Sequence, residues 1–231
     1  LVEAVEGGRL YDLQVASEDG ELEGVLQLLP ETYRQSLGDF NSSGDFTFQA
    51  LIQGKASRQE NPSIQAALQL EDGRITSPRL ADDFKDVSFR ASFTNGEERN
   101  NRSSVFEIKD LKGYFNRELL ELRLRLDNLD EPNIDFLMDG VVPLHAVYQF
   151  LAEHLGDARI RDGFGEIEIE ELRLNGRYRD MISASRISRV AAGGTFTMDD
   201  AGIRIGDERL LIDRGVLTLQ GNELSVRDLK V

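Results

Sequence analysis

Cysteine and tryptophan are absent from this chain, and only two of its 231 residues are histidine. Without cysteine there is no disulfide, no thiolate nucleophile and no zinc–thiolate centre, and neither an oxidising nor a reducing compartment is called for. Cations are scarce relative to acids: 27 Lys and Arg against 42 Asp and Glu leave a formal charge of −15. That balance argues strongly against a nucleic-acid binder, whose phosphate contacts need clustered cations. It also opposes electrostatic adsorption to an anionic membrane surface. Long apolar runs are missing too. No stretch approaches the roughly 20 residues of a membrane-spanning helix, and no signal-peptide pattern opens the chain. If this protein meets lipid, apolar contact has to do the work.

What is present is ordinary in amount: 40% hydrophobic and 30% charged residues, the composition of a folded domain. The length fits one large β domain. The chain starts at Leu1, and its last residues, from Leu224 on, still read as strand. Residues 1–231 are therefore expected to be a single region of a longer protein.

The arrangement is more telling than the amounts. Phe46, Phe48, Ala50 and Ile52 alternate with Thr47, Gln49 and Leu51; Ile64, Ala66, Leu68 and Leu70 with Gln65, Ala67 and Gln69. Val87, Phe89, Ala91 and Phe93 alternate with Ser88, Arg90 and Ser92, and Leu120, Leu122, Leu124 and Leu126 with Glu121, Arg123 and Arg125. Successive side chains on a strand point to opposite faces, so each run carries one apolar and one polar face. Leu10 to Val15 opens with a further strand. Asn41-Ser42-Ser43-Gly44 reads as loop, and Glu71-Asp72-Gly73, Thr94-Asn95-Gly96 and Lys112-Gly113 as turns. Asp199 to Gly202, Gly206-Asp207, Asp213 to Gly215 and Gly221-Asn222 read as the turns of a C-terminal meander. Between Ile167-Ile169 and Leu172-Leu174 the apolar phase shifts, which predicts a bulge or bend.

Two segments have helical spacing. Gly24 to Leu37 fits a short helix interrupted at Pro30. Leu144, Val147, Tyr148, Leu151 and Leu155 form a narrow apolar stripe after Pro143, so this helix should lie on an apolar surface. An internal echo is also visible: Asn61-Pro62-Ser63-Ile64 and Glu131-Pro132-Asn133-Ile134 each open a strand and each precede an Asp-Gly, at Asp72-Gly73 and Asp139-Gly140. It hints at duplicated β units.

A polar constellation for catalysis does not emerge. Glu166, Glu168 and Glu170 alternate with Ile167 and Ile169, which places them on a solvated strand face. Asp82-Asp83 has no adjacent base. His145 and His154 lie two and a half helical turns apart and cannot share a metal. Asp127 to Glu131 lacks the glycine and spacing of a calcium loop. Nucleophile-elbow, phosphate-loop and dinucleotide patterns are absent. Asn41-Ser42-Ser43 and Asn101-Arg102-Ser103 match the glycosylation triplet, which matters only in a secretory pathway. The reading is non-enzymatic, with no cofactor and no metal.

Several segments, taken in order, carry a family resemblance. They are the strand Phe46 to Gly54, the run Asn61 to Gly73, Ser77-Pro78-Arg79-Leu80 and the strand Val87 to Asn95. Ser104 to Leu111, Leu124 to Pro132, and Gly140-Val141-Val142-Pro143-Leu144 before a short helix complete the set. Over Gly44 to Gly176 the chain resembles the C-terminal region of AsmA-like proteins, relatives of TamB. The resemblance implies a periplasmic segment, anchored to the inner membrane of a diderm bacterium by a helix elsewhere in the full-length protein. It further implies a lipid-binding or lipid-conducting groove that supports outer-membrane biogenesis, with phospholipid or another envelope lipid as partner.

The expected fold is mainly β: a long, curved and twisted antiparallel sheet forming a groove, with the two short helices at or inside its concave face. Phe46, Phe48, Ile52, Leu68, Leu70, Phe89, Phe93, Leu122, Leu124, Leu126, Ile134 and Phe136 are the candidate lipid-lining residues, each on the apolar phase of its strand. The alternative is a cell-envelope scaffold with a closed core, pairing with other proteins through its sheet edges. A carbohydrate-binding domain would want exposed aromatic platforms, and tryptophan is absent.

Overall fold

The computed structural model describes residues 1–17, 41–77, 83–148, 160–183, 185–205, 208–221 and 223–230. Twelve strands form one antiparallel sheet in which each strand pairs with its neighbours in sequence. They are β1 (Val2–Val5), β2 (Gly8–Ser17), β3 (Asn41–Ser57), β4 (Ser63–Thr76), β5 (Phe84–Thr94), β6 (Val105–Phe115) and β7 (Glu118–Asp127). After them come β8 (Asn133–Pro143), β9 (Ile160–Arg177), β10 (Ala191–Ile205), β11 (Glu208–Gln220) and β12 (Glu223–Lys230). The sheet is a pure meander, the topology that local connections between alternating strands favour. It does not close into a barrel: β1 and β12 are its two edges.

The strands are longer than the sequence reading expected, because several turn signals are not turns. Asn41 to Gly44 begins β3; Glu71 to Gly73 lies inside β4, Lys112-Gly113 inside β6, Asp199 to Gly202 inside β10 and Asp213 to Gly215 inside β11. The chemistry that makes a turn, an Asp or Gly tolerant of positive φ, equally makes a β-bulge within a continuous strand. Thr94 ends β5 and a true turn follows from Gly96, and the actual β6–β7 turn is Asn116-Arg117. The phase shift in β9 is a bulge at Glu171, whose φ is 51°.

These bulges share one local sequence. Phe84-Lys85-Asp86-Val87, Ile108-Lys109-Asp110-Leu111, Ile169-Glu170-Glu171-Leu172, Met198-Asp199-Asp200-Ala201 and Val226-Arg227-Asp228-Leu229 all read apolar, charged, acidic, apolar; Leu70-Glu71-Asp72-Gly73 is the same with glycine last. In all six the acidic third residue has φ between 48° and 53°, the left-handed region that Asp tolerates better than bulky residues. The extra residue makes two apolar side chains three positions apart share a face, where plain alternation would put them on opposite ones. It also bends the strand and raises its twist, so the repeated bulges curve the sheet.

A bulge crowds its neighbour, and glycine relieves the crowding. A Cβ added to Gly44 (φ 133°) would stand 2.6 Å from the Cα of Gly73 and 2.9 Å from the carbonyl oxygen of Glu71. At Gly165 (φ 85°) it would stand 2.9 Å from the Cα of Ala201, beside the Asp200 bulge.

Residues 144–148 are helical and follow β8 directly, with Pro143 ending the strand rather than opening the helix. Leu144 is buried against Val142, Ile167, Ile169 and Met198, and Val147 packs on the same cluster. This helical stretch thus lies on the apolar face. The predicted helix at Gly24 to Leu37 and the continuation to Leu155 lie outside the described residues. A second short helix, Tyr178–Met181, and a 3-10 turn, Ile187–Arg189, occupy the β9–β10 connection; no periodicity in the sequence announced them. Among the described residues no helix is long and apolar enough to cross a membrane.

The connections at one end of the strands are hydrogen-bonded to each other. Buried Asn95 accepts the Ile64 N–H at 2.8 Å and donates to the Pro62 carbonyl at 2.8 Å. The Pro132 carbonyl likewise accepts the Tyr178 N–H at 2.8 Å. Each proline before a strand is thus held by the residue just past the end of the following strand, a structural counterpart to the internal echo.

Replacing Gly44 by Val should cost about 2–4 kcal/mol, combining forbidden φ with a backbone clash. Gly7→Ala, whose Cβ would meet nothing within 4 Å, should cost only about 1 kcal/mol from φ alone. Urea unfolding of the two variants checks the difference.

Candidate functional site

Residues directly opposite one another in a sheet share a face, so the register can be followed strand by strand. Phe48 pairs Leu68, Leu68 pairs Ala91, Ala91 pairs Ile108, and Ile108 pairs Leu124. Leu124 then pairs Phe136, Phe136 pairs Leu174, and Leu174 pairs Ala192. This row crosses eight strands without a polar side chain, roughly 34 Å at the usual strand spacing. A second row, Ala50, Ala66, Phe93, Phe106, Leu126, Ile134 and Gly176, runs beside it.

All twelve candidate lining residues fall on this one face. Phe46 and Leu70 are paired with each other, Leu122 faces Met138, and Ile52 faces Ile64. Phe46 and Leu70 are buried; the other ten are half-buried, and none is fully exposed.

The face is closed at two places and open between them. Phe46, Leu70 and Val87 are at most 1% exposed and gather Phe48, Leu68, Ile75, Phe84 and Phe89 around them. Phe84 also meets Phe115 edge to face, 6.5 Å between ring centres. At the other place Val142, Leu144, Ile167, Ile169, Met198, Ala201 and Ile212 form a buried cluster beneath the helical turn at 144–148. Between these clusters, Leu124, Leu126, Ile134 and Phe136 keep part of their surface in contact with solvent.

Sequence reasoning left part of the apolar face out: Ile108, Leu111, Met138, Leu172, Met198 and Ile212 were not among the candidates. For Ile108, Leu111, Leu172 and Met198 the signal was there in the apolar–charged–acidic–apolar motif. Carrying the phase across each bulge would have found those four, and Met138 simply continues the alternation of Ile134 and Phe136.

The opposite face is polar. Its open depressions are lined by Gln14, Gln49, Gln65, Ser92, Glu107 and Arg125, and further along by Arg90, Lys109, Arg123, Asp135 and Arg173. The charges pair locally: Arg90 with Asp110, Lys109 with Glu107 at 3.0 Å, Arg125 with Asp127 at 2.8 Å. The Asp127 hydrogen bond raises the Arg125 pKa above its ordinary value against a smaller opposing effect of burial, so this group is a permanent cation. Glu166, Glu168 and Glu170 are exposed, with Asn116 donating to Glu166 at 3.0 Å. His145 is half-buried, and His154 lies outside the described residues. Among the described residues no three His, Asp or Glu side chains converge as a metal-ligand set.

The contrast between the closed and open parts of the face is measurable. Ile169→Ala should cost about 2–4 kcal/mol, as for a buried aliphatic residue. Leu124→Ala should cost about 1–2 kcal/mol, because part of its surface is never removed from water. Equal losses in chemical denaturation would put Leu124 in a closed core.

Comparison of the chain with protein-family models, with curated proteins and with solved structures returns no match.

Proposed function

We propose that this chain is a non-enzymatic lipid-binding or lipid-conducting segment of the AsmA-like kind. In this reading it works in the periplasm of a diderm envelope and supports outer-membrane biogenesis. The observation that carries the reading is the unbroken apolar row from Phe48 to Ala192, half-buried at its centre. An apolar strip of this length that is only half covered leaves a contiguous patch for a partner to cover. An acyl chain is a suitable cover: each buried methylene contributes about 0.8 kcal/mol, so a 16-carbon chain offers on the order of 12 kcal/mol before ordering costs. No directed polar group is needed for that, which agrees with the locally paired charges of the opposite face. Phe48, Ile52, Leu68, Phe89, Phe93, Leu122, Leu124, Leu126, Ile134 and Phe136 form the lining in this reading, while Phe46 and Leu70, at most 1% exposed, belong to the sealed cluster beside it.

A second reading has its own observation. Every residue of the edge strand β12 is exposed, and Leu224 at 60% and Leu229 at 50% stand at the border of the apolar face. An edge of this kind invites another strand, which supports an envelope scaffold that extends its sheet through a partner.

Organic extraction and mass spectrometry of the purified chain separate the two. Stoichiometric phospholipid, lost in Leu124→Asp while the circular dichroism of the sheet is kept, is the expected result for the lipid reading. A lipid-free wild-type protein would favour the scaffold.

A further inference from the structure

The largest local excess of cations in this acidic chain lies at one connection. From the last residue of β9 towards β10, residues 177–189 hold Arg177, Arg179, Arg186 and Arg189 against the single carboxylate of Asp180. The same connection carries three of the large hydrophobic side chains left outside: Tyr178 at 45% exposed, Ile182 at 45% and Ile187 at 49%. Cations and apolar side chains are thus interleaved along one connection.

Its shape is set before any partner arrives. The Tyr178 N–H is tied to the Pro132 carbonyl, and Ile187, Arg189 and Val190 donate backbone hydrogen bonds to Ser183, Arg186 and Ile187 within the connection. Val190, 3% exposed, plugs the base beneath Gly176. Asp180 is buried, and its Oδ1 accepts no hydrogen bond but faces the Arg186 Nε at 3.5 Å. Arg179 pairs with Glu131 at 3.0 Å. Arg177 and Arg189 are exposed and make no ion pair among the described residues.

We infer that this connection is a docking surface for an anionic lipid bilayer. Charge complementarity picks the partner: arginines attract an anionic headgroup layer, while Tyr178, Ile182 and Ile187 enter the headgroup–acyl boundary, where interfacial segments place such side chains. The net acidity of the chain does not prevent this. Screening confines electrostatics to about 8 Å at physiological ionic strength, and strands of 15 and 18 residues (β10 and β9) keep their far ends several times that distance away at ~3.3 Å per residue. The neighbouring connections at this end pair part of their charge, Arg99 with Glu60 at 3.5 Å and Arg102 with Asp130 at 3.9 Å, and leave Glu97 and Glu98 as exposed carboxylates.

The experiment is cosedimentation of the 231-residue chain with phosphatidylcholine vesicles, with and without 30 mol% phosphatidylglycerol, at 0.1 and 0.5 M salt. The expected result is binding to the anionic vesicles that falls severalfold at high salt, with little binding to the neutral ones. Arg177→Glu with Arg189→Glu should lower it by at least about 25-fold, at roughly fivefold per arginine. Ile182→Ser with Ile187→Ser should lower it about tenfold or more, and Arg177→Lys with Arg189→Lys should stay within about threefold. All these side chains are exposed, so the thermal midpoint should not move. Equal binding to both vesicle types, binding indifferent to the arginine reversals, or no wild-type binding would each overturn the inference; the last would leave an acidic protein as the partner of this charge. Lipid extraction reports on the apolar face and cosedimentation on the connection, so either reading can fail alone.

Discussion

One constraint governs this molecule: a sheet twelve strands wide must keep its apolar side chains on a single face while it bends. Plain alternation keeps phase only in a straight ladder, and any extra residue throws the rest of the strand onto the wrong side. Here the extra residue comes as part of a four-residue unit whose two apolar members lie three apart. The acidic residue between them takes a left-handed backbone, so the strand kinks and the next apolar side chain returns to the same face. Leu70 to Gly73, Ile108 to Leu111, Ile169 to Leu172 and Met198 to Ala201 repeat this solution across the sheet. Glycines such as Gly44 and Gly165 make room where the neighbouring backbone presses in.

The consequence is a surface whose apolar character is continuous but whose burial is not. The helical turn at 144–148 and the Met198 and Ile212 side chains seal one part, and Phe46, Leu70 and Val87 seal another. The middle rows stay half covered. Stability therefore divides by location: the sealed clusters hold the sheet together, and in the proposed lipid reading the central rows take the acyl chain. Exposed ion pairs add little to this, since solvent screens them and ordering two long side chains offsets their attraction. The acidic excess acts on solubility and on which surfaces the protein avoids, with the β9–β10 connection as the local exception.

Much of this was legible in residue order. Alternation in β3, β4, β5 and β7 marked the strands and the phase of each candidate, because the two-residue period depends only on backbone geometry. The shift between Ile169 and Leu172 marked a bulge for the same reason. The turn signals misled: Asp-Gly chemistry supplies positive φ, and positive φ serves a turn and a bulge alike. Whether the chain reverses at Asp72-Gly73 or continues is decided by the partner strands, which extend β4 to Thr76 against Ser42 and Asn41.

By itself, the sequence determined that this protein is a β structure with one apolar and one polar face, poor in cations and without thiol chemistry. Those properties follow from side-chain type and a local period. The tertiary structure alone decided which strands are neighbours across the whole width, where the apolar face is sealed and where it is open. It also decided that the arginines and isoleucines of residues 177–189 sit together in one connection. These are outcomes of register and packing between segments distant in sequence, and no local pattern encodes them.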